Sequence, residues 1–203
     1  MDDMADCGHL SLYIGPMFSG KTSRILDLYK KYKYCGVIPL VINYMDDNRY
    51  SDDDMLSTHD LKMIPCTRAN TLSEIYDFDD NEDKHKFNDR TVILINEGQF
   101  FPDILDWVRR AIDPPYNKKV HVCGLDGDFK REVFGDILKL IPLSDHVEKL
   151  TAICASCKQK PGIFSKRITA NMEQKDIGTS SYIPLCRRCF NEYKIETEVI
   201  LEI

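Results

Sequence analysis

Gly15-Pro16-Met17-Phe18-Ser19-Gly20-Lys21-Thr22 matches the pattern G-x-x-x-x-G-K-[ST]. In such a loop the backbone amides cradle a triphosphate, the lysine (Lys21) reaches the outer phosphates and the hydroxyl of Thr22 is offered to Mg²⁺. A glycine turn carrying an incidental lysine is the plainer alternative. Towards the other end, Cys154-x-x-Cys157 and Cys186-x-x-Cys189 are separated by 28 residues. Each pair can turn tightly enough to place two thiolates on one tetrahedral ion, the usual closure of a structural Zn²⁺. A closed site leaves no coordination position for catalysis. Together the two motifs point to a nucleotide-using enzyme with a zinc-clipped appendage. A zinc ribbon acting on nucleic acid is the rival.

Three further clusters carry groups suited to phosphate transfer. In Ile95-Asn96-Glu97-Gly98-Gln99-Phe100-Phe101 a carboxylate emerges from an apolar run. Glu97 there can take the proton of a hydroxyl that attacks a γ-phosphate, while Gln99 and the aromatics contact the acceptor. A solvated or capping glutamate is the alternative. Asp47-Asn48-Arg49-Tyr50 includes an arginine able to neutralise developing phosphate charge. Taken alone it reads equally well as a surface ion pair. Leu125-Asp126-Gly127-Asp128-Phe129 adds another acid and another aromatic.

These clusters need elements that bring them to one place. Leu10, Leu12 and Ile14 alternate just before the glycine-rich loop, as in a strand feeding it. From Lys21 to about Tyr34 apolar residues recur at helical spacing until Cys35-Gly36 stops them. Residues 37–44, 91–95 and 119–125 are Val- and Ile-rich runs of the kind buried on both faces of a parallel sheet. Pro102 opens a helical pattern with Ile104, Leu105, Val108, Ala111 and Ile112 on one stripe, closed by Asp113-Pro114-Pro115. Alternating strands and helices predict an α/β fold, a mainly parallel sheet flanked by helices. Its carboxyl edge is where ligands bind, and all three clusters follow strands. Residues 77–90, almost wholly charged or polar, read as a solvated loop. After Thr151 the text changes to cysteine pairs. The expected division is an α/β domain over 1–150, a zinc-binding module over 151–192 and a tail over 193–203.

With 203 residues and 43% hydrophobic content the chain supports one good core and a small satellite. The net charge of -6 gives no footprint for nucleic acid, which calls for clustered Lys and Arg. No stretch approaches the roughly 20 apolar residues of a membrane span, and the start lacks the features of a signal peptide, so a cytoplasmic protein is expected. In that reducing compartment paired C-x-x-C spacing means metal rather than disulfides. Cys7, Cys35, Cys66 and Cys123 are scattered and read as ordinary thiols.

GPMFSGKT, DNRY, THD at 58–60, EGQFFPD from Glu97, LDGDFKREVFG from Leu125, LIPLSD from Leu140, FSKR from Phe164 and both cysteine pairs together resemble the thymidine kinases of the cellular and poxvirus class. The resemblance covers nearly the whole chain. It implies a P-loop-like fold and transfer of the γ-phosphate of ATP to the 5′-hydroxyl of thymidine, with deoxyuridine as a second substrate. It implies Glu97 as general base, Gly15 to Thr22 as the donor loop, and Asp47, Asn48, Arg49, Asn96 and Gln99 around the reacting centre. Met17, Phe100, Leu125, Phe129 and Phe134 would wall the nucleoside pocket. A zinc-tied loop with Gln174, Lys175, Asp176, Ile177 and Gly178 would cover the base, with Tyr182 close by and Ser165 near the thymine methyl. A homotetramer and feedback inhibition by dTTP are likewise implied.

Two departures from the family text stand out. Asn96 occupies a position where the family usually has Asp, an acid that steadies Mg²⁺ through water in many P-loop enzymes. Weaker Mg²⁺ binding is therefore expected, and a homologue that binds nucleotide but turns over poorly because of Asn96 is the other rival reading. In the covering loop an expected second glycine is Thr179, and the segment is one residue shorter before Tyr182. Substituting that glycine restricts positive φ and makes substrate preference less secure than reaction class.

Overall fold

The computed structural model describes residues 7–45, 55–57, 62–79, 85–169, 173–174 and 181–193. Its centre is a six-stranded sheet. Strand β1, His9–Ile14, leads through the glycine-rich loop into helix α1, Lys21–Tyr34, and then to β2, Leu40–Tyr44. A short antiparallel pair, β3 (Met55–Ser57) and β4 (Met63–Pro65), precedes β5 (Thr67–Ala69). Then follow α2 (His85–Asn88), β6 (Val92–Ile95), α3 (Ile104–Ile112), β7 (Lys119–Gly124) and β8 (His146–Lys149). The order across the sheet is β5-β2-β6-β7-β1-β8, and every neighbouring pair is parallel.

Side-chain alternation along the strands builds two separate cores. Leu10, Leu12 and Ile14 of β1, Ile93 and Ile95 of β6, and Val120 and Val122 of β7 face α3, where they meet Ile104, Trp107, Val108 and Ala111. Tyr13, Leu94 and Cys123 face the opposite way and pack with Ile25, Leu26 and Tyr29 of α1. Burial on both faces explains why these strands read as continuous apolar runs.

Three expectations change. Residues 77–90 are not simply a solvated loop: Phe87 in α2 is fully buried, its ring lies 4.0 Å from that of Tyr76, and Phe78 meets Phe87, Trp107 and Tyr116 edge-on. Two rings set among charges carry no periodic signal, yet they close the α3-side core. Helix α3 starts at Ile104 rather than Pro102. Asp103 directs its carboxylate away from the helix, accepting the amides of Leu72 (3.0 Å) and Ser73 (2.9 Å). The second strand begins at Leu40, since residues 37–39 lie outside the ladder.

After β8 the chain forms two small antiparallel pairs, β9 (Ala152–Ile153) with β10 (Pro161–Gly162) and β11 (Phe164–Arg167) with β12 (Tyr182–Leu185), followed by α4 (Arg187–Glu192). Cys154, Leu185, Cys186 and Phe190 form their core. Among the described residues no helix is long and apolar enough to cross a membrane.

Candidate active site

Because all six central strands are parallel, the ends of β1, β6 and β7 lie along one edge. The loop after β1 is tied to that edge where the Gly15 amide donates to the Gly124 carbonyl at 3.3 Å. Gly20 turns the chain into α1 at φ 83, a left-handed conformation that a side chain disfavours, although a Cβ there would meet nothing within 4 Å. Lys21 is buried and donates from Nζ to the Pro16 carbonyl at 2.6 Å; Ser19 donates its hydroxyl to the same oxygen at 2.8 Å. Thr22 is the second residue of α1. First-turn amides and the positive end of the helix dipole converge here, a ready seat for an anion. Beside the loop lies a groove of about 570 Å³, bounded by residues 18–20, 151–153 and 158–161.

Two strands away, β6 ends at Ile95 and the chain turns sharply. Glu97 takes φ 55, ψ 41, a left-handed conformation that costs a non-glycine residue roughly 1–2 kcal/mol. Strain of this kind collects where a side chain must be aimed. Glu97 is 7% exposed, and its carboxylate accepts the side-chain amide of Gln99 at 2.6 Å. Gln99 in turn accepts the Leu125 amide on Oε1 at 2.9 Å. That bond fixes which end of the Gln99 amide faces Glu97. Gly124 makes the arrangement possible, since a Cβ there would come within 2.5 Å of Gln99 Oε1.

Asn96 is buried and turns towards β2, donating its side-chain amide to Asn43 Oδ1 at 3.0 Å. Phe100 stands perpendicular to Phe134 at 5.3 Å and lies 5.0 Å from Tyr44. Leu125 and Phe129 follow β7 on the same rim. Ser165 Oγ accepts the Met17 amide at 2.9 Å and so joins the glycine-rich loop to β11. Tyr182 is buried beside Arg167, which donates to its hydroxyl. Gln174 donates its side-chain amide to Asp128 Oδ2 at 2.9 Å. Asp47, Asn48, Arg49, Lys175, Asp176, Ile177 and Gly178 lie outside the described residues. Asn43, Tyr44 and Arg167 were not singled out from the sequence, and Asp128 was read only as a member of the cluster after β7. In β11 Ser165 and Arg167 are the buried alternate positions, a face that the residue types of Phe164–Arg167 do not mark.

The four cysteines Cys154, Cys157, Cys186 and Cys189 bring their sulfurs within 4.8 Å of one another. Burial opposes ionisation of Cys154, but the amides of Cys186, Cys157 and Ser156 outweigh it and draw its pKa down to about 6. The amides of Gln159 and Lys160 lower that of Cys157. Amides aimed at Cys154 and Cys157 favour their thiolates, whereas at Cys189 a hydrogen bond with Ser156 is outweighed by Cys186, burial, Cys154 and Cys157, which together push its thiol up to about 11. The donor set and its closeness fit a tetrahedral Zn²⁺. Cys123, by contrast, is sealed in the α1-side core, where burial pushes its thiol far up.

A family model described as thymidine kinase matches residues 8–190. The chain is 40% identical over 187 residues to a thymidine kinase of fowlpox virus, covering 90% of this chain and 97% of that protein. With the thymidine kinases of vaccinia virus (strain Ankara) and variola virus it shares 39% over 184 residues, again 90% and 97% of the two chains. The matched residues include the glycine-rich loop, Glu97 and the four clustered cysteines, and the chain belongs to the thymidine kinase family.

Proposed function

We propose that this protein transfers the γ-phosphate of ATP to the 5′-hydroxyl of thymidine, giving dTMP and ADP, and accepts deoxyuridine as a second substrate. One observation carries the reading: Glu97, buried and oriented by Gln99, stands on the same sheet edge as the glycine-rich loop. Glu97 takes the proton of the 5′-hydroxyl as its oxygen bonds to the γ-phosphorus. The bond from that phosphorus to the bridging oxygen breaks, leaving ADP. Lys21, already at the mouth of the loop, exchanges the Pro16 carbonyl for donor phosphate oxygens. The α1 amides hold the same phosphates. Mg²⁺, which offsets phosphate charge, would be held by the Thr22 hydroxyl with Asn96 nearby. Met17, Phe100, Leu125, Phe129 and Phe134 form the apolar wall against which the nucleoside lies, with Ser165 and Tyr182 at its zinc-module side. Cys154, Cys157, Cys186 and Cys189 would hold a structural Zn²⁺ that would tie the ends of β9 and β12 together. The family resemblance supports a homotetramer, inhibition by dTTP and a cytoplasmic place in nucleotide salvage.

The test is ADP release from Mg-ATP with thymidine, deoxyuridine, deoxycytidine or no acceptor, run with wild type and Glu97→Gln. Thymidine-dependent turnover that falls by about 10²–10⁴-fold in the variant supports both reaction and base. Turnover independent of any nucleoside, or a variant as fast as wild type, overturns them.

A further inference from the structure

Arg167, the last residue of β11, is 2% exposed. A guanidinium out of water must place its donors on fixed acceptors, and its flat fork makes the geometry demanding. Arg167 donates from Nε to the Tyr182 hydroxyl at 3.1 Å, and Nη2 donates to the same oxygen. Nη1 donates to the Glu173 carbonyl, and Nη2 also approaches the Gln174 carbonyl at 3.4 Å. Cζ of the cation lies over the Phe129 ring, 4.0 Å from its centre, and 4.9 Å from the centre of the Tyr182 ring. One side chain therefore sets the angle of Phe129, the hydroxyl of Tyr182 and two main-chain carbonyls.

Asp128, the residue beside Phe129, completes the arrangement from the other side. Its carboxylate is buried; Oδ1 accepts the amides of Lys130 (2.8 Å) and Glu132 (2.9 Å), which fix the turn, and Oδ2 accepts Gln174 Nε2. Gln174 is thus gripped by its carbonyl through Arg167 and by its side chain through Asp128.

The β11–β12 pair already has its own ladder over four residues on each strand. A buried cation is an expensive way to reinforce such a pair, because an apolar side chain of similar volume packs there without desolvating a charge. What an apolar residue cannot do is hold a ring by its face and a hydroxyl by its lone pairs at once. We infer that Arg167 is a positioning residue for the nucleoside, setting Phe129 and Tyr182 in the orientation that receives the base. The inference rests on the reading that Phe129 and Tyr182 face thymidine.

Steady-state kinetics in both substrates for Arg167→Met, Arg167→Lys and Phe129→Ala, on zinc-loaded enzyme with metal content and Tm measured alongside, test this. Arg167→Met is expected to raise KM for thymidine by about tenfold or more while KM for ATP stays within about twofold and zinc stays bound. Arg167→Lys keeps a cation over Phe129 but loses the fork, and should raise KM for thymidine by about threefold or more. A purely structural role would lower Tm and the active fraction without separating the two KM values. The inference fails if both arginine variants keep wild-type KM for thymidine while Phe129→Ala raises it. If Phe129→Ala also leaves KM unchanged, the pocket assignment itself falls and the inference with it. Should Arg167→Met not fold, Arg167→Lys decides alone by the same criterion.

Discussion

Gln99 holds Glu97 by a 2.6 Å hydrogen bond, and the side chain that makes this bond is itself pinned by the Leu125 amide of the neighbouring strand end. The carboxylate's aim is thus set by β7 as much as by its own loop. A base placed by a rigid second residue starts each turnover in the right orientation, which is where much of the rate of a positioned base comes from.

Replacing Gln99 with Leu removes that restraint without adding charge, and kcat is expected to fall by about tenfold with KM for ATP little changed. Gly124→Ala should imitate it, because the added Cβ intrudes on Gln99 Oε1. Presteady-state measurement of the chemical step checks both. A Gly124→Ala enzyme with wild-type chemistry would show that Gln99 does not steer the base.

Asn96 is neutral where an acid is usual in the family, and its amide is committed to Asn43. Asn96→Asp introduces a negative charge at a position that the proposed function sets near the donor phosphates and Mg²⁺. The Mg²⁺ concentration needed for half-maximal rate should drop by about threefold or more. Titrating Mg²⁺ at fixed ATP reads this directly, and an unchanged midpoint would dismiss the charge argument.

Removal of zinc should act on the nucleoside before it acts on ATP. Cys154 and Cys186 flank β9 and β12, and β12 carries Tyr182, whereas the donor amides belong to α1. Chelation, or Cys186→Ser, is expected to lower Tm and to weaken thymidine binding by about tenfold, with a much smaller effect on ATP. Calorimetric titration of each ligand into zinc-free protein decides the matter; equal losses for the two ligands would contradict it.

His121 gives the fold a pH dependence of its own. It lies under α1, with Nε2 2.9 Å from the Tyr32 hydroxyl and Nδ1 buried without a hydrogen-bond partner among the described residues. Burial first, and then the nearby His9 and His146, lower its pKa to about 4. The unfolded chain takes up this proton near pH 6.5, so stability contributed by neutral His121 is complete above that value and is lost as pH falls towards 4. The loss should reach roughly 2 kcal/mol by about pH 5. Tm measured at about pH 7 and about pH 5 for wild type and His121→Phe isolates the contribution, since the variant should lose less on acidification. Equal losses would rule it out.

The strand, loop and helix at the N-terminus were legible because the motif and the two periodicities coincide in 26 consecutive residues, His9 to Tyr34. The edge strand β8 was not: it is mostly exposed and lacks an apolar face. Its place depends on parallel pairing with β1 and on the ion pair between Glu148 and Arg24 of α1, at 2.6 Å. The aromatic cluster around Phe87 was hidden for a related reason, as its members come from four separated stretches of chain. At the candidate site the residue types could be read from sequence, but the partners could not. Gln99 finds Leu125 only because β6 and β7 are adjacent, and sequence order does not state adjacency.

The bond between the Met17 amide and the Ser165 hydroxyl joins the glycine-rich loop to β11, so under the proposed function the donor loop and the acceptor wall share a group. Any ligand that strengthens or breaks it on one side changes the free energy available on the other by the same amount. A single neutral hydrogen bond contributes about 1 kcal/mol, which limits this cross-talk to roughly fivefold in affinity. Within that limit, the proposed function makes the two substrates thermodynamically linked through one serine, so that either would prime the protein for the other.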